Sequence, residues 1–247
     1  MKAYIINNVG GENSLLFGGY GLPPQCSRSE RVQNTRELNA VINVLVKQGI
    51  RNIYIHEGQP VHLETMDEHA RIIRNSKELL LDRSFSMLLL LNQRPCNAGI
   101  GGITVNRRYH FVSEIGLYIL MAGYYGIPTL FVSGETRIVK DIQKLNSKIH
   151  TQILRPRARN ISGTCQGVTR ALATRATIPP ITLKGKVQIE VKVTDPVIAD
   201  KFSGIEGVQK SDDITLKFQA NTIIDAYAIY RCLGMALQAS GYGRVKE

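Results

Sequence analysis

Hydrophobic and polar positions alternate along the chain in a strand–helix rhythm. Lys2 to Asn8 reads as a short buried strand, and a glycine-rich irregular stretch follows from Gly10 to Ser29. Leu38, Val41, Ile42 and Leu45 recur at i, i+3, i+4 and i+7, which predicts an amphipathic helix that Gly49 ends. Asn52 to His56 is the second strand. Ile72, Ile73, Leu79 and Leu80 suggest a helix over 67–81. Phe85 to Leu91 is an unbroken apolar run, the mark of a central strand covered on both faces. Ile103–Val105 and Tyr109–Val112 flank Asn106-Arg107-Arg108 as a hairpin. The spacing then predicts a helix over 114–125, a strand over 129–133, a helix ending near Leu145, a strand over 149–154 and a helix over 162–176. Beyond Pro179-Pro180, strands are expected at 187–193 and 214–218 and a closing helix at 221–239.

The alternation gives an α/β class: a mostly parallel central sheet flanked by helices, with a smaller C-terminal α/β lobe. The expected division is 1–178 for the larger domain and 186–247 for the lobe packed on it. Ligands in such sheets sit beyond the carboxyl ends of the strands. That directs attention to Asn7-Asn8, His56-Glu57, 92–96 and Ser133-Gly134.

Charge adds a second feature. The chain of 247 residues carries 31 basic and 20 acidic side chains, for a formal net charge of +11. Residues 83–186 hold fifteen basic and three acidic residues, densest at Arg155, Arg157 and Arg159, while the flanking segments are close to neutral. Such a zone can attract a small anion or follow a nucleic-acid backbone. No aromatic residues interleave with these arginines, so nucleic acid is the minor reading. The longest apolar runs, Met87–Leu91 and Ile115–Ala122, are too short to span a bilayer. No membrane partner is expected. Met1–Ile6 reads as a strand rather than a leader, so the cytoplasm is the expected compartment. Cys26, Cys96, Cys165 and Cys232 are widely spaced, which fits neither a disulfide framework nor a zinc ribbon. Mostly buried, reduced thiols are expected.

Several stretches carry a resemblance. Glu114-Ile115-Gly116-Leu117, Ala122-Gly123-Tyr124-Tyr125-Gly126-Ile127-Pro128 and Val132-Ser133-Gly134 form the clearest segment. Phe218-Gln219-Ala220 with Asp225-Ala226-Tyr227, and Met1-Lys2-Ala3-Tyr4 leading to Gly11, extend it. The chain resembles the zinc-dependent D-aminopeptidases found with bacterial dipeptide-transport operons. The resemblance implies a homo-oligomer, with a ring-shaped decamer as the form the family suggests, and sites facing an inner chamber. It also implies two zinc ions on five ligands. Carried over by position, these fall on Asn8, Gly10, Gln59, Arg94 and Glu114, and Glu114 alone keeps a ligand's chemistry. Asn8 and Gln59 offer neutral amides, Gly10 offers nothing, and Arg94 puts a fixed cation where a dication would sit. At about 4 Å and an effective dielectric of about 20, each unit-charge contact opposes by roughly 4 kcal/mol, and a dication doubles that. No metal and no other cofactor is expected at this site.

The same positions form a polar constellation of Asn8, His56, Glu57, Gln59, Arg94, Cys96, Asn97 and Glu114. In one reading Arg94 pairs with Glu114 or meets an anionic group, so that Asn8, Glu57, Gln59, Arg94 and Asn97 bind a small peptide-like or amino-acid-derived ligand. In another, Cys96 attacks an acyl carbon, His56 moves the proton, and Glu57 or Glu114 orients the imidazole. Gly99-Ile100-Gly101-Gly102 would then supply backbone N–H donors to an oxyanion. A third reading keeps metal-dependent amide hydrolysis through the spare imidazoles His62, His69 and His110. A fourth is a non-catalytic structural pseudoenzyme. Gly18-Gly19-Tyr20-Gly21 reads as a flap, and Tyr124-Tyr125 as a packing pair.

Overall fold

β-Branched and leucine-rich runs condense into two sheets in the computed structural model, which describes residues 1–7, 28–57, 63–73, 79–95, 100–154 and 160–239. The first sheet has the order β3-β2-β1-β4-β7-β8 and is parallel throughout. Its strands are β1 (Lys2–Asn7), β2 (Asn52–Glu57), β3 (Ala70–Ile73), β4 (Met87–Gln93), β7 (Thr129–Gly134) and β8 (His150–Ile153). Every residue of β4 and of β7 is buried, as the continuous apolar run implied for the first. The chain runs from β1 outward to β2 and β3 on one side, then returns to β4 and proceeds to β7 and β8 on the other. The strand order therefore reverses between β1 and β4, the position at which open α/β sheets form their crevice.

The second sheet is antiparallel, in the order β10-β11-β9-β5-β6. It joins the hairpin β5 (Ile100–Val105) and β6 (Tyr109–Phe111) to β9 (Val187–Val193), β10 (Val208–Asp212) and β11 (Thr215–Ala220). Residues 187–220 thus share a sheet with residues 100–111. Asn106 and Arg107 turn the hairpin with φ of 52° and 54°, the left-handed pair that a tight β-turn of this hand requires.

Helices α1 (Arg28–Lys47), α2 (Ile115–Tyr124), α3 (Thr136–Leu145), α4 (Ile161–Ala173), α5 (Pro196–Ser203) and α6 (Ile223–Ala239) cover the sheets. Side chains along β1 alternate between faces. Asn7 reaches Asn92, which in turn reaches Glu37 of α1, whereas Tyr4 lies near Tyr227 of α6. α1 and α6 therefore lie on opposite faces. Close packing needs glycine at two places. A Cβ on Gly123 would stand 1.8 Å from the Ile181 carbonyl oxygen, and one on Gly116 would stand 2.3 Å from the Phe111 ring.

Two expectations are corrected. The described residues of 67–81, namely 67–73 and 79–81, form no helix: a 3₁₀ turn at Leu63–Thr65 precedes β3, which pairs parallel with β2. The Ile72-Ile73 pair that fitted a helical stripe fits an edge strand equally, because β-branched side chains suit the pleat. Ile100, Gly101 and Gly102 lie inside β5 rather than in a donor loop, with Ile100 and Gly102 in register with Val193 and Lys192. Two elements were not foreseen, α5 and β10. For α5 the signal was present: Asp195 caps it by accepting from the Val197 N–H at 2.9 Å, and Pro196 occupies its first turn.

Candidate functional site

The carboxyl ends of β1, β2, β4 and β7 bring Asn7, His56, Gln93 and Ser133 to one edge of the sheet. All four are buried. Asn8, Gln59, Cys96 and Asn97 lie outside the described residues, as do Gly10, His62, the flap at 18–21 and the arginines 155, 157 and 159. Glu57 ends β2, and its side chain is not among those described.

His56 is 1% exposed and shares a 3.0 Å hydrogen bond between its Nδ1 and the Tyr4 hydroxyl. That hydroxyl also accepts from the Leu80 N–H at 3.3 Å. Burial drives the Tyr4 phenol well above its ordinary range, against the smaller lowering by Leu80. Phe85 meets the Tyr4 ring edge to face at 5.0 Å. An orienting partner for the imidazole therefore comes from β1, two residues from His56 in strand register, and the sequence reading did not name it.

Glu114 occupies the N-cap position of α2 without a side-chain capping bond and is wholly buried. It stands among Tyr118, which is fully buried, and Tyr227. Burial raises both phenols above their usual range, and the Glu114 charge raises them further. Tyr118 and Tyr227 meet at 71° with centroids 5.9 Å apart. Tyr4 bears weakly on Tyr227, so His56 and Glu114 belong to one tyrosine layer on the α6 face. Arg94, in contrast, is exposed just past the end of β4 and forms no ion pair with Glu114 among the described residues. The expected pairing is corrected: a fully buried carboxylate and an exposed guanidinium occupy different environments.

On the opposite face lies a network that sequence reasoning missed. Asn92 has φ of 59° at a register break between Leu90 and Gln93. Its Nδ2 donates to Asn7 Oδ1 at 3.1 Å and to Glu37 Oε2 at 3.0 Å, and its N–H donates to Ser133 Oγ at 3.0 Å. Thr164 Oγ1 donates to Glu37 Oε1 at 3.2 Å. The Cys165 thiol beside it is pushed up by burial and then by the Glu37 charge. Cys165 is half-buried and Cys232 is exposed, so the expectation of mostly buried thiols fails for Cys232. A polar residue with left-handed tolerance at a strand end was the available signal for Asn92.

The spare imidazoles are dispersed. His69 Nδ1 lies 2.8 Å from Asp67 Oδ1, and the exposed His110 contacts Thr104 at 3.0 Å. Among the described residues no three His, Cys, Asp or Glu side chains gather as metal ligands. Tyr124 is 44% exposed and meets Tyr125 edge to face. A hollow of about 360 Å³ lined by Asn106, Arg107, Lys186, Gln188 and Gln219 holds none of the expected site residues. No helix of the described residues is long and apolar enough to cross a membrane.

A family model described as D-aminopeptidase matches residues 99–232. A D-aminopeptidase of Bacillus subtilis (strain 168) is 27% identical over 128 residues, which cover 47% of each protein. The match thus spans about half the length of that curated relative. Among solved structures, the Zn-dependent D-aminopeptidase DppA from Bacillus subtilis, described as a self-compartmentalizing protease, superposes with a TM-score of 0.79. That superposition covers 100% of both chains at 19% identity, and it establishes the shared fold.

Proposed function

The chain belongs to the D-aminopeptidase family, and from that premise we propose that it binds or acts on a small amino-acid-derived or peptide-like molecule without a zinc pair. The observation that carries this reading is the set of residues that the family pattern aligns with the zinc ligands. A zinc pair needs anionic oxygen, imidazole or thiolate. The corresponding positions hold the amides of Asn8 and Gln59, the bare Gly10, the guanidinium of Arg94 and the lone carboxylate of Glu114. These residues do not fit the metal centre, and no step of the activity is routed through one.

The ligand occupies the crevice where the strand order reverses between β1 and β4. Arg94, exposed beyond β4, meets its carboxylate, since a guanidinium engages carboxylate oxygens in pairs. Asn8, Glu57, Gln59 and Asn97 are the further binding residues that the sequence proposes. If the bound molecule is also cleaved, Cys96 is the nucleophile the constellation offers. The protein assembles as a homo-oligomer, in line with the self-compartmentalizing relative, and a decamer is the expected size.

The test uses untagged protein. Its metal content is measured by mass spectrometry, and D-alanyl-glycine binding is followed by calorimetry with and without a chelator. Binding that survives the chelator, and that weakens about tenfold or more in Arg94→Gln, supports the reading. Near-stoichiometric zinc that disappears in Glu114→Gln, with peptide hydrolysis abolished by the chelator, overturns it. Light scattering of the same sample reports the assembly, and a monomer removes the oligomer proposal.

A further inference from the structure

We propose that Tyr4 is a positioning residue that fixes His56 in the Nε2–H tautomer, so that this imidazole acts at the sheet edge as a hydrogen-bond donor and not as a base. A phenol hydroxyl carries one hydrogen and two acceptor lone pairs. The Leu80 N–H already fills one lone pair of the Tyr4 oxygen. Tyr4 is wholly buried, and its burial keeps the phenol protonated. Among the described residues, the one acceptor within reach of its proton is His56 Nδ1, at 3.0 Å. Were Nδ1 to carry hydrogen instead, two donors would face the Tyr4 oxygen, and the Tyr4 proton would be left buried without an acceptor there. The phenol therefore donates to Nδ1, and a neutral ring with its lone pair at Nδ1 carries hydrogen on Nε2.

This polarity is the reverse of that in nucleophile–histidine–carboxylate triads. There a carboxylate accepts from Nδ1–H and leaves the Nε2 lone pair to take the nucleophile's proton. Here Nδ1 is engaged by a donor and Nε2 is protonated, so no lone pair remains for a Cys96 proton. The Nε2–H suits an acceptor oxygen instead, and the carbonyl of a peptide-like ligand would have to compete with the contacts this buried ring already makes. That assignment of the ligand group rests on the proposed function. The tautomer does not, and it is measured without any ligand.

The experiment is magic-angle-spinning ¹⁵N spectroscopy of the full-length protein at neutral pH, which works whatever the size of the assembly. The chain has five histidines, so His56→Asn identifies the His56 resonances by difference. The expected wild-type spectrum shows His56 with protonated Nε2 and unprotonated, hydrogen-bonded Nδ1. In Tyr4→Phe the preference for Nε2–H falls roughly fivefold to tenfold, the change set by losing one hydrogen bond. The exposed Leu80 stays accessible to water in that variant, and circular dichroism verifies its fold. A wild-type ring protonated at Nδ1, or at both nitrogens, overturns the proposal, as does an unchanged tautomer ratio in folded Tyr4→Phe. A correct tautomer combined with no peptide binding retains Tyr4's role and discards the ligand reading.

Discussion

Asn92 concentrates two separable effects, and a pair of substitutions divides them. Its φ of 59° lies in the left-handed region, which asparagine tolerates and alanine does not. Its side chain donates to a buried carboxylate, Glu37, and to Asn7. A hydrogen bond to a charged group contributes about 1.5–3 kcal/mol and a neutral one about 1 kcal/mol. Asn92→Gly removes both bonds and leaves the backbone relaxed, so a loss of roughly 2–4 kcal/mol is expected. Asn92→Ala removes the same bonds and adds left-handed strain of about 1 kcal/mol or slightly more. The glycine variant is thus the more stable of the two by about 1 kcal/mol, the reverse of the usual order inside a strand. Urea unfolding at one fixed protomer concentration, followed by far-UV circular dichroism, measures both midpoints. If alanine equals or exceeds glycine, the backbone at Asn92 is not left-handed. If neither variant shifts the midpoint, Glu37 does not depend on Asn92, and the network has no energetic role.

Three other outcomes follow from particular contacts. Gly123→Ala drives a Cβ to within 1.8 Å of the Ile181 carbonyl oxygen and lowers stability by about 2–3 kcal/mol. Gly126→Ala meets no atom within 4 Å at φ of 78° and loses only the backbone term of about 1 kcal/mol; equal melting shifts for the two would refute the packing of α2. The Asp67 carboxyl is raised somewhat by burial, but the His69 N–H and ring outweigh that and hold it below its usual range. A depressed folded-state pKa supplies stability above the unfolded value near pH 4 that vanishes as pH falls through the folded one. Asp67→Asn should therefore flatten the urea midpoint between about pH 5 and 2, and parallel profiles would exclude the contact. A double-mutant cycle of Arg94→Ala and Glu114→Ala should give a coupling below about 0.5 kcal/mol, with Glu114→Ala alone destabilising by about 2–4 kcal/mol. A coupling of about 3 kcal/mol or more would mean that the two form a buried pair after all.

What the sequence conveys well is what depends on neighbours in the chain. The apolar run of β4, the turn at Asn106-Arg107 and the glycine after α1 each carry their signal within a few residues, and each is found as expected. Residues 67–81 fail for a related reason. Adjacent isoleucines followed by leucines seven residues on satisfy a helical stripe, while a four-residue edge strand is too short to declare its own period. The site is harder to read because its contacts are distant. Tyr4 reaches His56 across 52 positions, Asn92 reaches Glu37 across 55, and Thr164 reaches Glu37 across 127. None of these residues stands out in sequence, since tyrosine in a strand and glutamate in a helix are ordinary. The strand-end rule pointed to the edge of the sheet and the family pattern to Glu114, yet neither pointed to the tyrosines that surround it.

Glu114 and Arg94 sit in different electrostatic environments. An arginine in place of a ligand would neutralise a leftover carboxylate only where the two meet in a shared environment. Here Glu114 is sealed in the tyrosine layer, with its negative charge resisting ionisation of Tyr118 and Tyr227, while Arg94 is exposed. Water screens the guanidinium, so its pull on Glu114 falls toward the surface value of at most about 1 kcal/mol. The buried carboxylate instead lies beside the Tyr118 and Tyr227 phenols, in a layer where Arg231 also bears on Tyr227. On the other face the Glu37 carboxylate accepts from an amide and a hydroxyl. Arg94, by contrast, faces water just past the end of β4. A guanidinium so placed adds little to the stability of the fold, and its charge is available to an incoming anion.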